Sequence, residues 1–140
     1  TLFSAGCGRL KQTGNMRQLF HSLARIKKLP PQTQLFCSHE YTLSNLAFAQ
    51  TVEPNNKNIA HQINAVKQLR QNNQPSIPST LATELACNPF LRIQEPVVIT
   101  AVNEAMKNAV QHTYEAIKAN KENSEPFAIF TALREWKDRF

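Results

Sequence analysis

A histidine lies at the junction of two predicted elements, in the segment Cys37-Ser38-His39-Glu40-Tyr41-Thr42. The apolar, β-prone residues 34–37 predict a buried strand before it, and apolar spacings of three and four predict a helix after it. Strand ends are where α/β folds place their chemistry. The imidazole of His39 can therefore ligate a metal or transfer protons, but it can also be a structural residue that only makes hydrogen bonds. Its position alone leaves these alternatives open.

Basic side chains are the second feature that can do chemistry. The net charge is +6 and the sequence pI about 9.5, which favours an anionic partner without identifying it. The sequence has no run of about five or six basic residues, and aromatics do not alternate with basic residues, so nucleic-acid binding is not indicated. Arg134 and Lys137 are three apart on a predicted helix and can converge on one anion. Without a resemblance to a known family, however, the pattern favours a solvated basic face in which Arg134 pairs with Asp138.

Composition places the chain among globular proteins of a reducing compartment. The hydrophobic fraction is 41%, and no run approaches the roughly 18 apolar residues of a membrane span. Cys7, Cys37 and Cys87 are far apart and form no C-x-x-C motif, which supports neither a disulfide framework nor a structural zinc site. We therefore expect a cytoplasmic protein. Because the chain begins at Thr1 within a strand-like run, we expect further sequence before it.

The first part of the chain predicts a βαβ-like unit. Residues 1–5 predict a strand, and Gly6-Cys7-Gly8 predicts a tight turn where the backbone comes close to another group. Residues 15–28 predict a helix that ends at Pro30 and Pro31, and residues 34–37 predict the second strand. Two strands do not make a stable sheet, so we expect the rest of it upstream.

After Thr42 the pattern becomes helical. Apolar spacing predicts helices over 42–52, 57–71, 80–86, 96–120 and 125–139, the last capped by Ser124, with a proline-containing loop over 74–79. The predicted inward residues include Ile59, Ile63, Val66 and Leu69 in one helix, and Phe127, Phe130, Leu133 and Trp136 in the last. The fold class is therefore mainly α.

Four segments, in order along the chain, carry a resemblance to a known family. They are TLFSAGCGR at 1–9, CSHEYTLSNL at 37–46, NPFLR at 88–92 and LREWKD at 133–138. Together they resemble glyoxalase II, the hydroxyacylglutathione hydrolases. The resemblance implies that residues 1–40 are the end of a metallo-β-lactamase domain, with two strands and a helix of its αββα sandwich. It implies that residues 41–140 are an all-α, glutathione-binding domain.

The resemblance also implies a reaction and a cofactor. The family hydrolyses S-lactoylglutathione, or related 2-hydroxyacyl thioesters, to glutathione and the hydroxy acid, using two divalent metal ions, zinc or iron. His39 matches a metal-ligating histidine. The family's clustered histidines and bridging aspartate are not in this sequence. Because catalytic zinc needs three protein ligands, we expect this chain alone to bind no metal pair and to be inactive without the missing N-terminal part of the protein.

Substrate residues carry over from the resemblance one at a time. Arg9 matches a basic residue that contacts a glutathione carboxylate, Tyr41 a tyrosine that contacts the tripeptide, and Arg134 and Lys137 a pair that holds the glycine carboxylate. Lys11 stands where some members have a tyrosine near glutathione, which leaves its role open. The expected partner is therefore a glutathione thioester, with no nucleic acid and no membrane.

The sequence also predicts an alternative function and the positions of the other histidines. The alternative function is a stand-alone basic helical module that binds an anionic partner such as nucleic acid. The remaining histidines, His21, His61 and His112, match no motif and are expected at the surface.

Overall fold

The computed structural model describes residues 1–10, 14–109 and 125–140. These residues form a mainly helical structure, which confirms the predicted fold class. Its helices are α1 (Met16–Ile26), α2 (Thr42–Val52), α3 (Lys57–Gln71), α4 (Leu81–Cys87), α5 (Pro96–Ala109) and α6 (Glu125–Arg139), with a 3-10 turn at Pro89–Leu91. Its strands are β1 (Leu2–Phe3), β2 (Gly6–Cys7), β3 (Gln34–Leu35) and β4 (Ser79–Thr80).

Side-chain caps fix where several helices begin. The side chain of Asn15 accepts a hydrogen bond from the backbone N–H of Gln18, and Asn56 does the same for Asn58. The predicted helices over 42–52, 57–71 and 125–139 are confirmed at those bounds. Of the helix predicted over 96–120, the structure describes 96–109 as helical, and the remainder lies outside the described residues, as does the predicted Ser124 cap.

The predicted βαβ unit is wrong. β1 and β2 form an antiparallel hairpin in which Leu2 pairs with Cys7, and β3 pairs antiparallel with β4 in a separate two-stranded sheet. The turn is at Ser4 and Ala5 rather than at Gly6-Cys7-Gly8. Ala5 has a φ of 56°, a value at which glycine or asparagine is usual, so the sequence carries no local turn signal there.

Gly6 has a packing role instead of a turning role. A Cβ built at this position would lie 2.7 Å from Cγ of the Asn45 side chain, which is closer than non-bonded carbons approach. Asn45 Nδ2 in turn donates to the carbonyl oxygen of Ser4 at 2.9 Å. The close approach that the two glycines predict is therefore real, and it brings the hairpin against α2.

The core joins the hairpin and α1 to the later helices. Leu23 of α1, Phe90 of the 3-10 turn and Phe130 of α6 belong to one buried cluster, in which the Phe90 and Phe130 rings lie 5.9 Å apart. Of the residues predicted inward, Phe127, Phe130, Leu133, Ile59 and Val66 are buried, whereas Ile63, Leu69 and Trp136 are half-buried. The division into domains at residues 40 and 41 stays a prediction.

Two buried carboxylates tie the elements together. Glu84 of α4 is 1% exposed, and its Oε1 accepts from the hydroxyls of Ser4 and Ser79 at 3.0 and 2.8 Å. Its Oε2 accepts from the backbone N–H of Ala5 at 2.8 Å and from Asn88 Nδ2 at 2.9 Å. Four donors therefore surround one carboxylate that links the hairpin turn, β4 and α4.

The second carboxylate is Glu53, at the end of α2. Arg92 donates to it from Nε at 2.8 Å and from Nη2 at 3.0 Å, a bidentate ion pair, and Nη1 donates to the carbonyl oxygen of Leu85. The hydrogen bonds to Glu53 raise the pKa of Arg92 despite partial burial. This pair fastens α2 to the segment after the 3-10 turn.

None of the helices in the described ranges is long and apolar enough to cross a lipid bilayer. Cys7, Cys37 and Cys87 are all free thiols.

We expect Glu84→Gln to lower the free energy of unfolding by about 1–3 kcal/mol, because all four donors lose a charged acceptor and the Ser4 and Ser79 hydroxyls must turn to accept from the amide NH₂. Urea unfolding of both proteins measures the difference. The matched control is Glu104→Gln, which removes an exposed carboxylate of α5 and should change stability by no more than about 0.5 kcal/mol. Equal stability of the two variants would contradict a structural role for Glu84.

Candidate functional site

His39 lies in the short segment between β3 and α2, and its side chain is exposed. Its Nδ1 is 3.0 Å from the hydroxyl of Ser38. The ring stacks on Tyr41 with centroids 5.0 Å apart and an interplanar angle of 11°. The Phe3 ring of β1 lies 6.0 Å from His39 and 5.3 Å from Tyr41. We call Phe3, His39 and Tyr41 the aromatic cluster.

Glu40 fixes the backbone between the two exposed rings. Its carboxylate accepts from the backbone N–H of Ser76 at 2.9 Å and from the Ser76 hydroxyl, which also lies 2.6 Å from Thr42 Oγ1. Burial raises the pKa of Glu40, but the two hydrogen bonds from Ser76 outweigh it, and the net pKa is below the usual value. The loop over 74–79 therefore holds the segment that presents His39 and Tyr41.

A histidine in this setting suits one coordination position of a metal. A ring held at Nδ1 by a neighbouring oxygen presents Nε2 outward, which is the usual arrangement of a metal-bound imidazole. Within residues 1–10, 14–109 and 125–140, however, no three or more histidine, cysteine, aspartate or glutamate side chains come together in a way that could hold an ion.

The predicted basic residues meet at the carboxyl end of α6. Arg134 is 3% exposed. Its Nη1 donates to the carbonyl oxygen of Cys7 at 3.0 Å, and its Nη2 donates to Asp138 at 2.9 Å. The guanidinium also lies 5.2 Å from the centroid of the Phe90 ring. Arg134 is therefore a buried link between α6 and β2: the expected pairing with Asp138 is present, but the solvated basic face is not, because the side chain is buried.

Arg9 and Lys137 complete this group. The side chain of Arg9 is 68% exposed, and its Nε lies 3.3 Å from the same Oδ1 of Asp138 that Arg134 contacts. Lys137 Nζ lies 4.7 Å from the centroid of the Phe48 ring. We call Arg9, Arg134, Lys137 and Asp138 the basic cluster. It has one carboxylate for three cations, so it suits an anionic ligand.

Burial changes the ionisation of two groups here. Desolvation, followed by the charge of Arg134, lowers the pKa of Lys137 to about 8. Desolvation raises the pKa of the Cys7 thiol to about 11 although Arg134 opposes it, so Cys7 is neutral near pH 7. Lys137 is consequently a cation near neutrality that loses its charge in mildly alkaline solution.

The hairpin positions both clusters. Phe3 of β1 belongs to the aromatic cluster and contacts His39. The backbone carbonyl oxygen of Cys7 in β2 accepts a hydrogen bond from Arg134 of the basic cluster. Sequence reasoning gave no role to Phe3, to Ser76 or to Glu84, because their partners are tens of residues away along the chain and no local pattern marks them.

Lys11 lies outside the described residues. His21 and His61 are exposed, and His112 is also outside the described part.

Comparison with known proteins matches most of the chain to one family. The family described as "Hydroxyacylglutathione hydrolase C-terminus" matches residues 40–140. The chain is 46% identical over 139 residues to a hydroxyacylglutathione hydrolase of Vibrio campbellii, covering 99% of the chain and 49% of the relative. Proteins of the same name from Ectopseudomonas mendocina and Nitrosomonas europaea are 45% and 38% identical over 140 residues, covering 49% and 48% of the relatives. The chain spans about half the length of these curated relatives.

We expect Arg134→Ala to lower the free energy of unfolding by about 2–4 kcal/mol, since it leaves the Cys7 carbonyl and Asp138 without a buried partner and opens a space beside Phe90. Chemical unfolding measures this loss. Arg25→Ala, at an exposed position of α1, is the matched control and should be close to neutral. A neutral Arg134→Ala would mean that the guanidinium does not hold α6 to β2.

Proposed function

The chain belongs to the hydroxyacylglutathione hydrolase family, and from this premise we propose that the protein containing it hydrolyses S-lactoylglutathione, or related 2-hydroxyacyl thioesters of glutathione. The products are glutathione and the 2-hydroxy acid, as in methylglyoxal detoxification. The observation that carries the proposal is similarity along the whole chain, including the segments that form both clusters.

The basic cluster is our candidate for binding the carboxylates of glutathione. Arg9 is exposed and presents a forked guanidinium, and Lys137 contributes an ammonium from α6, the helix that carries Asp138. Arg134, with both Nη groups engaged, contributes its positive charge from a buried position. Tyr41 is 49% exposed, and we assign its hydroxyl to the peptide part of the ligand. The role of Lys11 stays a prediction.

We assign His39 to one of two divalent metal ions, zinc or iron, in the full-length protein. When bound, such ions supply Lewis acidity and acidify a water molecule for attack on a thioester carbonyl. Within this chain, the Ser38 hydroxyl would hold the His39 ring at Nδ1, and the stack on Tyr41 would restrict its rotation. The remaining ligands would come from an N-terminal part that completes the domain of residues 1–40. We also propose that the protein works in the cytoplasm.

The alternative, a stand-alone basic module for nucleic acid, has less support. Arg9 and Arg134 share Asp138, and Arg92 is paired with Glu53, so several of the described cations already have carboxylate partners. A nucleic-acid face would instead present cations free to contact successive phosphates.

We expect Lys137→Ala to raise KM for S-lactoylglutathione about tenfold or more and to leave kcat within about threefold. A contact with the non-reacting glutathione part is equally strong in the ground and transition states, and a charge-assisted hydrogen bond contributes on the order of 1.5–3 kcal/mol. Steady-state kinetics of the full-length protein measures both constants. Lys67→Ala, at an exposed position of α3, should change neither, and an unchanged KM in Lys137→Ala would remove this residue from the site.

The same lysine predicts a pH dependence. The pKa of Lys137 is lowered to about 8, so the free protein loses this cation as the pH rises through that value. We therefore expect kcat/KM to fall above about pH 8, because this constant reports ionisations of the free enzyme. Lys137→Arg, which stays charged, should abolish that fall. A profile that is identical in Lys137→Arg would assign the ionisation to another group.

Whereas Lys137→Ala should change mainly KM, His39→Ala should change mainly kcat. Loss of a metal ligand should lower bound metal, measured by elemental analysis of the purified protein, and should reduce kcat by orders of magnitude. His61→Ala, which removes an exposed histidine of α3, is the matched control for both readouts. Full metal content in His39→Ala would show that His39 is not a ligand.

A further inference from the structure

We propose that Asp138 is a positioning residue of the glutathione site, which holds the guanidinium of Arg9 in place for a substrate carboxylate. This inference rests on the proposed function. It concerns a carboxylate inside a site for an anionic ligand, a position where a negative charge would by itself weaken binding.

The geometry is a continuous chain of contacts from the core to the surface. The carbonyl oxygen of Cys7 in β2 accepts from Arg134 Nη1 at 3.0 Å, and Arg134 Nη2 donates to Asp138 Oδ1 at 2.9 Å. The same oxygen lies 3.3 Å from Nε of Arg9. Because Arg134 is buried and engaged at both Nη groups, it fixes Asp138, and Asp138 in turn restrains Arg9.

Arg9 is the member of the basic cluster that most needs such a restraint. Its side chain is 68% exposed and has many rotamers in the absence of a partner. A side chain that is ordered before the ligand arrives loses less entropy on binding. Contact at Nε leaves the edge formed by the two Nη groups for a carboxylate, and this edge can bind one bidentately.

Asp138 also acts on Lys137. Burial and then the charge of Arg134 lower the pKa of Lys137, whereas the charge of Asp138 raises it; Cys7, whose pKa is about 11, adds to this only where its thiol is ionised. Among the described residues, these are the charged and titratable groups that act on this ammonium, from α6 and from β2. Removing the carboxylate should therefore displace Arg9 and also move the loss of the Lys137 charge to lower pH.

The test compares Asp138→Asn with wild type in the full-length protein, using hydrolysis of S-lactoylglutathione. We expect KM to rise about three- to fivefold, the size that a partly exposed ion pair can account for, with kcat within about twofold. The fall in kcat/KM at alkaline pH should begin at lower pH than in wild type. Glu135→Gln, which removes a carboxylate from the same helix, should leave KM unchanged.

A double-mutant cycle with Arg9→Ala isolates the positioning effect. At a pH well below the pKa of Lys137, where its ammonium stays charged in every variant, Asp138→Asn in the Arg9→Ala background should leave KM unchanged or lower it, because Arg9 is no longer there to be displaced and the repulsion of the substrate by Asp138 is removed. A KM that falls or stays the same in Asp138→Asn alone, or effects that simply multiply with Arg9→Ala, would overturn the proposal.

If thermal unfolding shows that Asp138→Asn destabilises the protein, Asp138→Glu is the variant to measure instead. It keeps the charge but displaces it by one methylene, so KM should rise while the alkaline fall in kcat/KM stays where it is in wild type. An unchanged KM in Asp138→Glu would also count against positioning.

Wild-type protein that does not hydrolyse the thioester would reject the proposed function. Normal hydrolysis in wild type, together with Asp138 variants whose KM is unchanged, would reject only this inference.

Discussion

The carboxylate of Glu84 is the interaction on which the rest of the structure depends. Removing a charge from water costs several kcal/mol unless hydrogen bonds replace its hydration, and here four donors do so. Two of these donors belong to Ser4 and Ala5, at a turn where the alanine has an unfavourable positive φ. The hairpin is therefore held by a helix nearly 80 residues later in the sequence, and it carries Phe3 to one cluster and Cys7 to the other.

Local sequence information was sufficient for the helices and insufficient for the strands. The helices over 42–52, 57–71 and 125–139 have apolar faces within their own residues and start or stop signals beside them, so their extents could be predicted closely. The helices predicted over 15–28 and 80–86 are displaced by one or two residues, at Met16–Ile26 and Leu81–Cys87. Each strand is two residues long, too short for an alternating pattern, and Gln34 pairs with Thr80 across more than 40 residues. The Ser4-Ala5 turn is stabilised by distant side chains rather than by its own residue types, which is why the glycines beside it suggested a different turn.

The candidate site also has features that the sequence could predict and features that it could not. His39 could be singled out from its place between a predicted strand and a predicted helix, whereas Arg9, Arg134 and Lys137 are singled out by resemblance to a known family, and the structure places these three near Asp138 at the carboxyl end of α6. The depth of Arg134 could not be predicted, because it depends on a bond to the Cys7 carbonyl 127 residues away. A helical face with Arg and Lys three residues apart is typical of a solvent-exposed surface, and only tertiary packing buries Arg134.

The basic cluster shows how binding and stability constrain each other. A site that removes cations from water strengthens their attraction for an anion, but it also penalises the charged form of every group that can lose a proton. Arg134 keeps its charge because a guanidinium cannot be deprotonated under these conditions, so it can be buried, whereas deeper burial would lower the pKa of Lys137 further. The division follows from this chemistry: the arginine occupies the buried position, and the lysine lies half-buried beside it with a pKa of about 8. Asp138, at the edge, limits the repulsion between the cations without neutralising the cluster, and so a single carboxylate lets three cations share one helix end.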